Sequence, residues 1–476
     1  MSQSPLLPRS TPASEGVDSA GLMALLDRWD EQALECHSVV VLRHGQVIAE
    51  GWWAPYSADR PHLLYSLTKS FTAIAVGLVV DDGLLALDDR VVDVLPEHVP
   101  EPVPPRSAEL TVHHLLSMST GHTHDLLEDA WDLEPADLVR GFLRIEPNDP
   151  VGSLHQYNNA TTFLLARMVE RVAGRTLPDL VHERLFAPMG VTVAEWERVA
   201  GGATFGFHGL HLTTEAVAAF GELLLRGGRW RDRQLVSRQW IDLATRKHVE
   251  TVLSDDDSRT ADWLQGYGYQ FWMSRHGFRG DGAMGQLCLV VPSADLVVAI
   301  TAAVTDAQAV LDGVWDCLLP AIDQPVDHGL DSKLGDRMRG LALPLVIGEH
   351  RPQDSAIAVV DGPTEDAALP LGSRLSLEAV PDGWSVRLEA DGTTFAVDVG
   401  HGEWRESRPF GRPVVASGGW QGGVFVADLY VITTPSRVRI TVADGRATAT
   451  WNLVPLVGAS LLWQLSPDLI TRPNRS

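Results

Sequence analysis

The sequence predicts two unlike parts: an α+β fold over residues 1–322 and a separate antiparallel β domain, a small barrel or sandwich, over 356–476. Three observations carry this. Strand-like runs open and close the first part with helical patterns between them, so its first and last strands belong in one sheet. After about Asp323 the texture changes, and 323–355 reads as a linker. Beyond it, apolar and polar residues alternate with the period-two pattern of half-buried strands.

The elements follow in order. Residues 18–32 place Leu22, Leu25, Leu26 and Trp29 at helical spacing. Residues 38–53 read as two strands joined at His44-Gly45. Residues 66–84 form a long apolar run with Gly83 near its end, where a helix stops. The five prolines of 96–106 make that stretch irregular. Helical patterns dominate 111–185, and another helix spans 214–226. Residues 266–272 and 287–301 read as strands, the second broken by a turn at 292–295, and a last helix covers 306–319. In the β domain, Asp382-Gly383, Asp391-Gly392 and Asp444-Gly445 punctuate the alternating runs and signal hairpins.

Composition narrows the function classes. The 476 residues are 45% hydrophobic, enough for a core without disulfides or a structural metal. Lys+Arg 38 against Asp+Glu 62 gives a net charge of -24. That balance repels phosphate, so neither nucleic acid nor an anionic membrane is an expected partner. Cys36, Cys288 and Cys317 are odd in number and far apart, which fits a reducing compartment. Residues 1–16 lack the basic and apolar regions of a signal peptide, and no apolar run nears the ~20 residues of a membrane span. A cytoplasmic location is expected, and self-association is left open.

The chain has three lysines, Lys69, Lys247 and Lys333, and Lys69 falls within a strongly apolar stretch. A lysine there costs desolvation and needs a reason. Ser66 precedes it by one helical turn, so the amine reaches the hydroxyl. Burial disfavours the charged amine, and a neutral amine beside a hydroxyl is a base beside a nucleophile. At a helix start the Ser66 N–H is available to a developing oxyanion. The bland alternative is a lysine snorkelling from a helix end. Tyr157-Asn158-Asn159 sits at another helix start, where a phenol can relay a proton and Asn159 can hold the lysine or a substrate amide; its bland reading is an N-cap beside a packing tyrosine. The third element is the glycine-rich stretch 279–286. Its glycines, Gly282 among them, let a strand approach a ligand closely, and the Ala283 N–H is a candidate second oxyanion donor. The stretch also spells Gly-x-Gly-x-x-Gly, but a strand follows it instead of a pyrophosphate-binding helix. His122-Thr123-His124-Asp125 leaves His-x-His-x-Asp-His incomplete, so a polar loop is expected, with no metal and no cofactor.

Ser66-x-x-Lys69, Tyr157-x-Asn159 and a glycine-rich strand, in that order, resemble the serine β-lactamase and penicillin-binding-protein superfamily. The flanking segments 110–121 and 209–215 strengthen the likeness, which covers about residues 10–322 and is nearest to class-C β-lactamase-like esterases, D-aminopeptidases and 6-aminohexanoate-dimer hydrolases. The resemblance implies an antiparallel sheet flanked by helices with an all-helical subdomain. It implies Ser66 as acylated nucleophile, Lys69 as general base and Tyr157 as proton shuttle. Asn159 would orient lysine or substrate, and the Ser66 and Ala283 N–H groups would form the oxyanion hole. The third motif departs from the family's Lys-Thr-Gly or His-x-Gly: here it reads Gly280-Asp281-Gly282, or Arg279-Gly280-Asp281 if shifted by one. The cation that grips a β-lactam carboxylate is absent, with Arg279 or His276 as candidate substitutes. The expected substrate is a small ester or amide. The alternatives are a catalytically silent ligand-binding or sensor protein on the same scaffold, or a weak β-lactamase.

Overall fold

Strands buried on both faces run apolar without alternation, and three such runs build the centre of the first sheet. The computed structural model describes residues 5–199, 201–251, 261–350, 355–362 and 365–466. The chain divides into two compact units, Met1–Gly51 with Leu64–Arg339, and Trp52–Leu63 with Gly340–Ser476.

In the first unit, helix α1 (Ser19–Glu31) is capped by the Asp18 side chain and precedes the hairpin β1 (Cys36–Arg43) and β2 (Gln46–Trp52). Next come helices α2 (Thr68–Asp81), α3 (Asn159–Ala173) and α4 (Thr214–Leu225). Then follow β3 (Trp272–Ser274), β4 (Gly277–Gly282), β5 (Gln286–Val291) and β6 (Leu296–Ala302). The sheet order is β2-β1-β6-β5-β4-β3, so the first and last strands do share one sheet. β1, β5 and β6 are buried along their whole length. The antiparallel register sets Val40 opposite Ala299, Cys288 opposite Ala299, and Gly280 opposite Cys288. Helix α4 packs on this sheet, where a Cβ on Gly221 would come 2.4 Å from Val297 Cγ1.

Two expectations need correction. Residues 266–272 do not form a strand; the ladder starts at Trp272. Gly266 and Gln270 have positive φ, and the Gln270 amide donates inward to the carbonyls of Leu115 and Leu116, which turns the chain out of an extended path. Residues 323–355 contain a helix, α5 (His328–Arg339), held by buried Leu334 and Met338 on its inner face. Residues 351–354 of that stretch lie outside the described residues.

The second unit is a barrel. Its strands are β7 (Ala356–Val360), β8 (Arg374–Val380), β9 (Gly383–Ala390), β10 (Thr393–Gly400), β11 (Arg405–Ser407), β12 (Val414–Gln421), β13 (Val424–Val431), β14 (Arg437–Ala443) and β15 (Arg446–Trp451). Pairing runs β10-β9-β8-β7-β15-β14-β13-β12-β11, and a β10–β12 contact closes the ring. Most pairs are antiparallel; β7–β15 and β10–β12 are parallel. Asp391-Gly392 and Asp444-Gly445 have positive φ at both positions, the hairpin geometry their sequence signals. Trp384, Phe425, Val386, Val397 and Ile440 fill the interior.

Candidate active site

Ser66 lies in a 3-10 turn, Tyr65–Leu67, that runs directly into α2. Tyr65 adopts a left-handed φ of 46°, a strained value for a bulky residue. Ser66 is half-buried, whereas Lys69, one turn into the helix, is 1% exposed. Helix α2 is buried on nearly every side, which is why its sequence is apolar all round.

Lys69 Nζ lies 2.9 Å from Ser66 Oγ, 2.7 Å from Asn159 Oδ1 and 3.2 Å from the Phe207 carbonyl oxygen. The Tyr157 ring centroid is 4.7 Å from the same nitrogen. Burial pulls the lysine pKa down to about 7, opposed by the negative charges of Asp125 and Asp281. The partner set then decides the proton geometry. A neutral amine has two N–H bonds and one lone pair. Two of its three neighbours are carbonyl oxygens, which only accept. They take both N–H bonds and leave the lone pair to the Ser66 hydroxyl.

The loop that supplies the Phe207 carbonyl is pinned from behind. Glu197 lies between His208 and His211, with oxygen to nitrogen distances of 2.9 and 3.0 Å. Burial alone would raise its pKa, but hydrogen bonds and charge from the two histidines hold it well below the usual carboxylate range. The His208 ring also packs on Tyr65, centroids 5.3 Å apart.

Tyr157 stacks on Trp272 of β3 at 5.9 Å and 15°. Asn159 opens α3, one residue after the Asn158 N-cap. Strand β4 runs against the serine turn with almost no clearance: a Cβ on Gly282 would sit 2.1 Å from the Leu64 carbonyl oxygen and 3.1 Å from the Leu67 nitrogen. Ala283 starts the β4–β5 turn, its carbonyl accepting from the Gln286 amide at 3.1 Å. The structure thus brings Ser66, Lys69, Tyr157 and Asn159 together, with Gly282 against the serine turn.

Arg279 is placed elsewhere. It is fully buried, its guanidinium donating to Asp281 (2.7 Å), the carbonyls of Asp262 and Met273 (both 3.0 Å) and Ser274 (2.7 Å), with Trp263 beneath it at 4.4 Å. The interior uses this cation, so it does not stand in the cleft as an open one. His276 is exposed on the β3–β4 turn, its ring 5.1 Å from Trp315. His122 and His124 diverge, to the Ile145 carbonyl and to Asp129. Asp125 lies in the loop the sequence predicts and also grips Asn159 through both the backbone N–H (2.9 Å) and the side-chain amide (2.5 Å). Asp125 and the Phe207 carbonyl are the members of this cluster that sequence reasoning did not assign to it.

The chain is 26% identical over 320 residues to 6-aminohexanoate-dimer hydrolase of Paenarthrobacter ureafaciens, covering 61% of this chain and 79% of that one. It is 33% identical over 210 residues to Esterase EstB of Burkholderia gladioli, covering 38% of this chain and about half, 53%, of the esterase. In fold it is similar to a putative beta-lactamase from Bacteroides dorei DSM 17855 (TM-score 0.53, 18% identity, 63% of this chain and 99% of that one). It is equally similar to a putative 6-aminohexanoate-dimer hydrolase from Bacillus anthracis (TM-score 0.52, 18% identity, 65% and 86%). Residues 24–312, more than half of the chain, match the family model described as Beta-lactamase, and the chain belongs to that family.

Proposed function

We propose that this chain is a serine hydrolase that cleaves a small ester or amide through an acyl-enzyme on Ser66. The observation that carries the reading is the Lys69 environment: a buried amine 2.9 Å from a serine hydroxyl, its other two polar neighbours both carbonyl oxygens. In the first step Lys69 takes the Ser66 proton as Oγ attacks the carbonyl carbon. The Ser66 and Ala283 N–H groups receive the oxyanion. Tyr157 passes a proton to the departing alcohol or amine. Water then attacks the ester on Ser66, with the proton path reversed, and frees the acid.

The third motif favours this substrate class over a β-lactam. Gripping a carboxylate needs an available cation, and Arg279 is engaged with Asp281 and three interior acceptors. Two of the relatives named above are an esterase and a 6-aminohexanoate-dimer hydrolase, which supports a hydrolase reading.

The test is acylation. A fluorophosphonate probe should label the protein at one site, and p-nitrophenyl esters should turn over with an initial burst. Ser66→Ala should abolish both. Labelling that survives this change removes Ser66 from the chemistry, and tight ligand binding with no acylation over hours would favour a silent binding protein.

A further inference from the structure

Amide side chains have two ends of opposite hydrogen-bonding character, and a site that uses one end must fix which way it faces. At Asn159 the loop ahead of α3 settles this. A carboxylate only accepts, so the end of Asn159 that meets Asp125 Oδ2 at 2.5 Å is its NH2 group. Its carbonyl oxygen therefore faces Lys69, at 2.7 Å. The other carboxylate oxygen takes the Asn159 backbone N–H at 2.9 Å and the Leu127 N–H at 3.2 Å, which locks the carboxylate in turn. The loop itself is anchored where a Cβ on Gly121 would sit 2.4 Å from the Asp149 carbonyl oxygen.

We propose that Asp125 is a positioning residue for the Lys69–Ser66 pair: by holding the Asn159 amide in one orientation it presents an acceptor to Lys69 and so directs the lysine lone pair at Ser66. The inference rests on the hydrolase reading for its catalytic consequence, but the clamp itself is a statement about Asn159 and Lys69. A swung amide would offer Lys69 a donor, and one N–H of the amine would then turn toward Ser66 in place of the lone pair.

The charged and titratable groups around Lys69 are few. Asp125 reaches it through Asn159, Asp281 faces it from β4, and the Tyr157 ring lies beside it. Asp281 is balanced by the buried Arg279 at 2.7 Å, and His208, on the loop of Phe207, turns to Glu197. Removing the Asp125 charge lowers the Lys69 pKa, since that charge raises it.

The chain's three lysines make a direct test practical. Protein carrying lysine labelled with carbon-13 at the ε position gives three resonances, and the Lys69 signal is the one lost in Lys69→Met. In Asp125→Asn the Lys69 titration midpoint should move to lower pH, and kcat for a p-nitrophenyl ester should fall about ten- to a hundredfold with KM within about threefold, the size expected for misplacing a reacting group. Asp125→Ala, which can accept none of these three bonds, should fall at least as far. Circular dichroism and thermal melting establish that each variant is folded. An unmoved midpoint, or kcat within twofold of wild type in both variants, overturns the proposal. An inert wild type whose Lys69 midpoint still shifts in Asp125→Asn sinks the hydrolase reading and keeps the clamp. A Ser66-dependent hydrolase indifferent to Asp125 does the opposite.

Discussion

In the proposed mechanism Lys69 serves as a base near neutral pH because burial disfavours its charged form. Its pKa of about 7 against an ordinary 10.5 makes two linked predictions. Activity should rise with pH through a limb near 7 as the amine loses its proton, and Lys69→Met should lower kcat by about a hundred- to ten-thousandfold, the usual worth of a positioned base. Stability should follow the same group. The unfolded chain holds this proton up to the ordinary pKa, while the folded chain releases it near 7. The cost of burying a charged lysine is therefore full below pH 7 and is relieved as pH rises toward 10.5. Urea unfolding at several pH values should show stability climbing across that window in wild type and a flatter profile in Lys69→Met; equal slopes would mean Lys69 is not the group responsible.

Strand β4 earns its glycines by where it runs. With Leu64 and Leu67 backbone atoms 2.1 and 3.1 Å from a would-be Cβ, Gly282 has no room to give on either side. Gly282→Ala should cost about 1–3 kcal/mol, typical of overpacking against immovable atoms, and should lose ester turnover because the serine turn must shift. A denaturation midpoint and rate equal to wild type would show that the strand stands further off. Much at this level was legible in the sequence. Ser66 and Lys69 are one turn apart, so local spacing was enough for that pair; that Tyr157 and Asn159 join them, Asn159 from 90 residues away, came from the family resemblance. Asp125 was not legible, because it meets Asn159 across 34 residues of chain. Phe207 acts through its backbone, which no residue type announces. In the barrel, the alternating strands and Asp-Gly turns could be read directly, whereas β12 could not: Ser417-Gly418-Gly419 interrupts its pattern, and the strand is held by an unbroken antiparallel ladder to β13 from Val414 to Gln421. The segment 266–272 failed for the converse reason, strand-like residues bent by an inward-turned Gln270.

Over the whole molecule, no helix among the described residues is long and apolar enough to cross a membrane. The second unit draws on two distant pieces of chain. Tyr56 donates its hydroxyl proton to the Thr434 carbonyl at 3.0 Å, the Leu63 N–H donates to Thr433 at 2.8 Å, and Arg60 pairs with Glu406. Deleting 340–476 should therefore strip Trp53, Tyr56 and Leu63 of their cover and yield aggregated protein, whereas the full chain stays dispersed; a monodisperse truncation on size exclusion would contradict this. The same layout bears on biosynthesis. Tyr56 leaves the ribosome 378 residues ahead of the carbonyl it will bond, and the stretch it belongs to ends three residues before Ser66. A nascent chain must carry that aromatic tether unfastened until Thr434 has emerged, so the final anchoring of the segment leading into the serine turn waits for those 378 residues to be made.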